Sequence, residues 1–131
     1  MTIQREQSYG EKILIVEDEP DILKMTEFRI KKGGYETVVA LDGETALEKA
    51  QSERPDMIVL DYKLPGIDGV EVYKRLKGDD ELKEIPVLFL SASRGNVDFL
   101  DKMEEIGAEY SMIKPYEPLE LMALIKKIVG E

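Results

Sequence analysis

The sequence predicts an α/β fold: five parallel strands in one sheet, right-handed crossovers, and helices on both faces. Two observations carry this. Short runs of apolar, branched residues, of which Met57-Ile58-Val59-Leu60 is the clearest, lack polar alternation, as strands buried on both faces do. Each run is followed by a stretch with helix start and stop signals, so that five strands alternate with five helices. No internal repeat or low-complexity linker interrupts the series. At 131 residues, with 43% hydrophobic and 35% charged residues, the chain reads as one ordered domain large enough to close a core without disulfides.

Residues 1–10 read as a flexible polar lead, and residues 11–131 as the domain. Lys12-Ile13-Leu14-Ile15-Val16 is the first strand. It runs into Glu17-Asp18-Glu19 and then Pro20, a favourable first helical residue with acids where the helix dipole favours them. That helix runs to Lys32 and stops at Gly33-Gly34. Its apolar residues Ile22, Leu23, Met25, Phe28 and Ile30 are only loosely periodic. Tyr35 to Leu41 is a second strand. Asp42-Gly43-Glu44 opens a helix with Ala46, Leu47 and Ala50 on one face, broken at Arg54-Pro55-Asp56.

The third strand, Met57 to Leu60, leads directly into Asp61. Pro65-Gly66 then forces a turn. Asp68-Gly69-Val70-Glu71 has the spacing of a capping box, and the helix after it buries Val72, Tyr73 and Leu76. Gly78 to Glu84 reads as a solvated charged connector. Pro86 to Leu90 is a fourth strand, ending at Ser91-Ala92-Ser93. A helix from Asn96 to Ile106 carries Val97, Leu100 and Met103, and Gly107 ends it. Tyr110 to Ile113 is a fifth strand, followed by Lys114-Pro115. The last helix, Glu117 to Val129, has a stripe of Leu121, Leu124, Ile125 and Ile128.

Composition removes several functions. The net charge of -10 disfavours nonspecific contact with nucleic-acid phosphates, which needs a basic footprint. With no cysteine and no histidine there is no disulfide, no thiolate nucleophile, no zinc site of the usual kind and no Ser-His triad. The first residues lack the apolar core of a signal peptide, and the apolar runs fall far short of the ~20 residues of a membrane span. A cytoplasmic location follows as the default expectation.

The chemistry-bearing residues gather where the strands end. In open α/β sheets, ligands bind beyond the carboxyl ends of the strands. The first strand offers Glu17 and Asp18 there, the third Asp61, the fourth Ser91 and the fifth Lys114. Alone, each has an ordinary reading: a helix cap for Asp18 or Ser91, a solvated group for Glu17 or Lys114. Together they form a specific set. Clustered acids need a compensating cation, and hard oxygen ligands without His or Cys select Mg²⁺ or a similar ion. A cation beside a free carboxylate suits phosphoryl transfer, with Asp61 as nucleophile and Ser91 and Lys114 on the phosphoryl oxygens.

The chain resembles the receiver domains of two-component response regulators, of the chemotaxis-regulator type. The likeness covers Lys12 to Val129 and rests on Ile15-Val16-Glu17-Asp18, on Asp61 with Pro65-Gly66 and Asp68-Gly69, on Leu90-Ser91-Ala92 and on Lys114-Pro115. It implies a flavodoxin-like, doubly wound sheet of strand order 2-1-3-4-5. It implies that Asp61 accepts a phosphoryl group from a phosphohistidine on a sensor histidine kinase or phosphotransfer protein. Asp18, Asp61 and the backbone carbonyl of Lys63 would ligate Mg²⁺, with Glu17 holding the ion through water. Ser91 and Lys114 would read the phosphoryl group, and the Lys114-Pro115 bond would be cis. The implied protein is a switch and not an enzyme beyond Mg-dependent self-phosphorylation from a phosphodonor and autodephosphorylation. Its output would pass through the fourth helix, fifth strand and fifth helix to a downstream protein target or an effector domain. No membrane or direct nucleic-acid contact is implied, and a phosphorylation-dependent homodimer is admitted.

One position departs from the family. Many receivers carry an aromatic residue three positions before the lysine, which rotates inward on phosphorylation; here it is Ser111, and strand alternation points its neighbour Tyr110 to the opposite face. Phosphorylation is still expected to draw Ser91 inward, with the signal carried by the loop after the fourth strand. Lys63 and Ser93 stand where the family varies and tunes dephosphorylation. Lys63 is expected to point to water more than to Glu17 or a phosphoryl oxygen. Tyr62 and Tyr116 are expected to pack or lie on the rim. A haloacid-dehalogenase-like phosphatase would need an acid where Lys63 stands and further acids where Pro115-Tyr116 stand. A pseudo-receiver would lack the complete acid set.

Overall fold

The computed structural model describes residues 10–91, 97–113 and 117–130. The elements follow in order: β1 (Lys12–Val16), α1 (Pro20–Lys32), β2 (Glu36–Ala40), α2 (Gly43–Glu53), β3 (Met57–Asp61), α3 (Gly69–Lys77), β4 (Val87–Ser91), α4 (Val97–Ile106), β5 (Tyr110–Ile113) and α5 (Pro118–Val129). The strands form one parallel sheet of order β2-β1-β3-β4-β5, as expected. Strand ends differ from the sequence reading by one residue. β2 omits Tyr35 and Leu41, and β4 starts after Pro86, which has no N–H for the ladder.

Strand alternation sorts the core into two layers. Leu14, Val16, Ile58, Leu60, Val87 and Phe89 face α2, α3 and α4, which contribute Ala46, Ala50, Val72, Tyr73, Leu76, Phe99 and Met103. Ile13, Ile15, Met57, Val59, Leu88 and Leu90 face α1 and α5, which contribute Leu23, Ile30, Leu121 and Ile125. Each fully buried Leu, Ile, Val or Phe side chain contributes roughly 1.5–3 kcal/mol by leaving water. Because both faces are covered, β3 and β4 are buried at every residue, which is why their sequences show no polar alternation.

Helix boundaries follow their signals. Pro20 is the first residue of α1, and Gly34, at φ +99°, reverses the chain after it. Asp42 caps α2 by accepting from the Thr45 N–H at 2.8 Å. Arg54 ends α2 in the left-handed region, at φ 48°. Asp68 caps α3 by accepting from the Glu71 N–H at 2.9 Å. The other half of the expected capping box is replaced, since the Glu71 carboxylate is taken by Arg75, 2.9 Å away. On the outer strand β2, the Lys49 ammonium donates to the Val39 carbonyl at 2.6 Å.

Tertiary contacts correct two expectations and decide a face that the sequence left open. In α4, Met103 is buried as expected, but Leu100 is exposed and Phe99 is fully buried in its place. In α1, whose apolar residues the sequence left without a clear face, Ile22, Met25 and Phe28 are exposed, and the buried face is Leu23, Thr26 and Ile30. The connector after α3 is charged but not wholly solvated. It turns back through bonds from the Leu82 and Lys83 N–H groups to the Asp79 carbonyl, and Leu82 enters the core.

Candidate functional site

Parallel pairing brings the carboxyl ends of β1, β3 and β4 to one rim. Val16 pairs with Leu60, Asp61 with Leu90, and Ser91 with Ile113. The chain leaves each strand there with a polar residue. Glu17 extends β1, its N–H donating to the Ala40 carbonyl at 3.1 Å. Its own Oε2 accepts from the Glu19 N–H at 3.2 Å, which fixes the carboxylate over the loop into α1. Asp18 follows, exposed. Asp61 ends β3 and is 7% exposed; Ser91 ends β4 and is 1% exposed.

Glu17, Asp18 and Asp61 each present a carboxylate oxygen such that all lie within 4.8 Å of one another. At an effective dielectric of ~20, two ionised carboxylates ~4 Å apart repel by about 4 kcal/mol. Two of the three are buried, so solvent screens them incompletely. The set is therefore poised for a cation. Octahedral Mg²⁺ at 2.0–2.1 Å from oxygen places its ligands roughly 3–4 Å apart, so small side-chain adjustments or one bridging water would close this arrangement around the ion.

The loop between β3 and α3 is held on both sides. The Tyr62 N–H donates to the Leu90 carbonyl at 2.8 Å, and the Tyr62 carbonyl accepts from the Gly69 N–H at 3.1 Å. Gly66 takes φ +73°, as the Pro65-Gly66 turn requires. Gly69 has no such backbone demand. A β-carbon there would stand 2.5 Å from the Asp61 carbonyl oxygen and 3.0 Å from that of Tyr62. Gly43, at the start of α2, admits the same loop: a β-carbon there would meet Ile67 and Val72 side-chain carbons at 2.7 Å. These two contacts were not read from the sequence. Glycine just after a helix cap was the available signal.

Glu17, Asp18, Asp61 and Ser91 thus stand at the strand ends where the sequence placed them. Lys63 is exposed on the loop, in line with its solvent-facing reading. Tyr62 is half-buried, packed edge-on against Phe99 with ring centroids 4.9 Å apart. Ser111 is exposed, while Tyr110 packs on the opposite, α1–α5 side of the sheet, as alternation predicts. Lys114, the Lys114-Pro115 bond, Ser93, Tyr116 and the lead 1–9 lie outside the described residues. β5, which leads to Lys114, ends beside Ser91.

Comparison with known proteins agrees with this geometry. A sequence model of the family described as response regulator receiver domain matches residues 13–126. The sporulation initiation phosphotransferase F of Bacillus subtilis is 39% identical over 118 residues, covering 90% of this chain and 93% of that protein. The alkaline phosphatase synthesis transcriptional regulatory protein PhoP of the same organism is 40% identical over 92% of this chain, which spans only 49% of PhoP. Among solved structures, the receiver domain of the sensor histidine kinase PA1611 from Pseudomonas aeruginosa superposes with a TM-score of 0.85 at 26% identity, covering 93% of this chain and 99% of that one. That structure has a magnesium ion coordinated in its active site cleft.

Proposed function

The chain belongs to the response regulator receiver domain family of two-component systems, the phosphorylation-activated switches, and we propose that Asp61 is its phosphoacceptor. The supporting observation is the buried carboxylate of Asp61 at the end of β3, with Glu17 and Asp18 oxygens within 4.8 Å and Ser91 ending the neighbouring strand.

An Asp61 carboxylate oxygen attacks the phosphorus of a phosphohistidine on a sensor kinase or phosphotransfer protein. The new O–P bond forms as the N–P bond breaks, and the bonding pair leaves with the imidazole. Asp18, Asp61 and the Lys63 carbonyl, with Glu17 acting through water, would hold Mg²⁺, which when bound offsets negative charge on the phosphoryl oxygens. The Ser91 hydroxyl donates to one of those oxygens, and Lys114 is assigned to another.

The output is assigned to protein–protein contact, with a separate target or with an effector domain; the relative PhoP is named as a transcriptional regulator. With a net charge of -10, direct contact with nucleic acid is not assigned to this domain. A cytoplasmic setting is proposed; no described helix is long and apolar enough to cross a membrane. A phosphorylation-dependent homodimer would show as a change in mass by light scattering when beryllofluoride is added.

Incubation with acetyl phosphate and Mg²⁺, followed by intact mass measurement, tests the assignment. The wild type should gain one phosphoryl group and Asp61→Asn none. No gain in the wild type, or an equal gain in Asp61→Asn, overturns it.

A further inference from the structure

The chain between β2 and α2 spans the two loops that bring the acids together. At the end of β2, the Ala40 carbonyl accepts from the Glu17 N–H at 3.1 Å, which fastens residue 40 to the base of the first acid loop. Two residues on, Asp42 caps α2 through the Thr45 N–H at 2.8 Å and fixes the direction of the first helical turn. Gly43, the first residue of α2, is buried. It lies against the loop between β3 and α3: a β-carbon there would stand 2.7 Å from side-chain carbons of Ile67 and Val72, and 2.9 Å from the Ile67 carbonyl oxygen. Glu44 adds a looser approach, with a carboxylate oxygen 3.9 Å from where a β-carbon on Gly66 would lie.

Gly43 is part of a helix, so its missing side chain serves this close approach and not a turn. We propose that Gly43 is a positioning residue for phosphoryl transfer. Residues 40–44 form a bracket that sets the separation of Glu17 and Asp18 from the loop carrying Asp61 and Lys63. This rests on the reading of Asp61 as phosphoacceptor beside Mg²⁺. The ends of that loop are pinned, the Tyr62 N–H to the Leu90 carbonyl at 2.8 Å and the Gly69 N–H to the Tyr62 carbonyl at 3.1 Å. Its middle rests on Gly43 through Ile67, and the atom at 2.9 Å is backbone, which no rotamer change can move aside. Ordinary contact begins at 3.4 Å, so a methyl group at position 43 would part helix and loop by about 0.5 Å. Mg²⁺ demands near-ideal octahedral geometry with oxygens at about 2.0–2.1 Å, and a parting of that size works against an ion shared between the two loops.

Calorimetric titration with Mg²⁺, and hydrogen exchange of the amides of residues 63–68 in the metal-free protein, test the proposal on the wild type, Gly43→Ala and Ala50→Gly. Ala50 is buried in the same helix and faces the core, so Ala50→Gly loosens α2 without crowding the loop. Gly43→Ala should weaken Mg²⁺ binding by roughly tenfold and speed loop exchange, while Ala50→Gly should leave both near the wild-type values. Ile67→Ala removes the strut from the loop side; it should weaken Mg²⁺ binding in the same direction and serves if Gly43→Ala folds poorly. Wild-type Mg²⁺ affinity in folded Gly43→Ala or in Ile67→Ala overturns the bracket. Equal weakening in Ala50→Gly also overturns it, since general loosening of α2 would then account for the effect. In either case, phosphoryl uptake by the wild type from acetyl phosphate leaves the acceptor reading intact. Failure of the wild type to take up phosphoryl overturns both.

Discussion

Gly69 and the Asp61 carbonyl are in such close approach that a single β-carbon on Gly69 would stand 2.5 Å from the oxygen. Backbone, not a flexible side chain, occupies that space. Gly69→Ala must displace the peptide that carries the proposed phosphoacceptor. The expected cost in stability is about 1–3 kcal/mol. The larger effect should be on the site: a shift approaching 1 Å there is expected to slow phosphorylation by acetyl phosphate by up to ~10²-fold. A rate equal to that of the wild type in the folded fraction would remove Gly69 from the positioning of Asp61.

The acid cluster should trade stability for metal affinity. Asp18→Asn removes one of three mutually repelling carboxylates, so the metal-free protein should gain stability. Asp18 is exposed and well screened, and the gain is put at about 0.5–1 kcal/mol. The same substitution should weaken stabilisation by added Mg²⁺, which follows the ratio of ion concentration to its dissociation constant. Melting temperatures measured with chelator and then with Mg²⁺ would check both signs, and an unchanged Mg²⁺ response would exclude Asp18 as a ligand.

Lys77 fastens the connector after α3. Its ammonium donates to the Lys83 carbonyl at 2.9 Å and the Ile85 carbonyl at 3.1 Å, and lies 5.3 Å from the centre of the Tyr73 ring. Burial pushes its pKa down, against the opposing pull of Glu109 and Glu84. Lys77→Met would leave two carbonyls without their donor while keeping the apolar stem, and is expected to cost about 1–3 kcal/mol. Denaturant unfolding measures this, and the connector containing Leu82 should exchange its amide hydrogens faster.

Asp42 should give α2 an acid-sensitive start. Its bond from the Thr45 N–H holds its pKa below the ordinary 3.8. A carboxylate depressed in the folded state adds stability above its unfolded pKa and loses it as pH falls through the folded value. Asp42→Asn keeps a capping oxygen without the charge. The stability difference between wild type and Asp42→Asn should be constant above about pH 5 and decline below 3.8. A difference independent of pH down to 2 would show that the cap is indifferent to its charge.

Much of this was legible in the chain because the rules involved are local or topological. Unbroken apolar runs mark doubly covered strands, and a parallel sheet sends all their carboxyl ends to one rim, so Glu17, Asp18, Asp61 and Ser91 could be grouped before any coordinates. Depth of packing was less legible. Leu100 and Phe99 both sit at helical spacings that reach Met103 or its neighbours, and only the strands beneath α4 decide which faces inward. Leu82 looked solvated because its neighbours are charged, and its burial depends on the fold of the turn around Asp79. Gly69 could be recognised as a helix start, but its contact partner lies eight residues earlier across a loop whose path periodicity does not encode.

The bond from Lys49 to the Val39 carbonyl bears on how this protein behaves in a crowd. A bordering strand with bare acceptors invites another polypeptide to lengthen the sheet and begin a fibril. Here a newcomer would have to evict a cation from one of the outward carbonyls, and would meet a positive charge where it needs a neutral donor. The molecule thus carries its own guard against self-templated growth on that flank, and Lys49→Met should be more prone to form thioflavin-positive aggregates on prolonged warming.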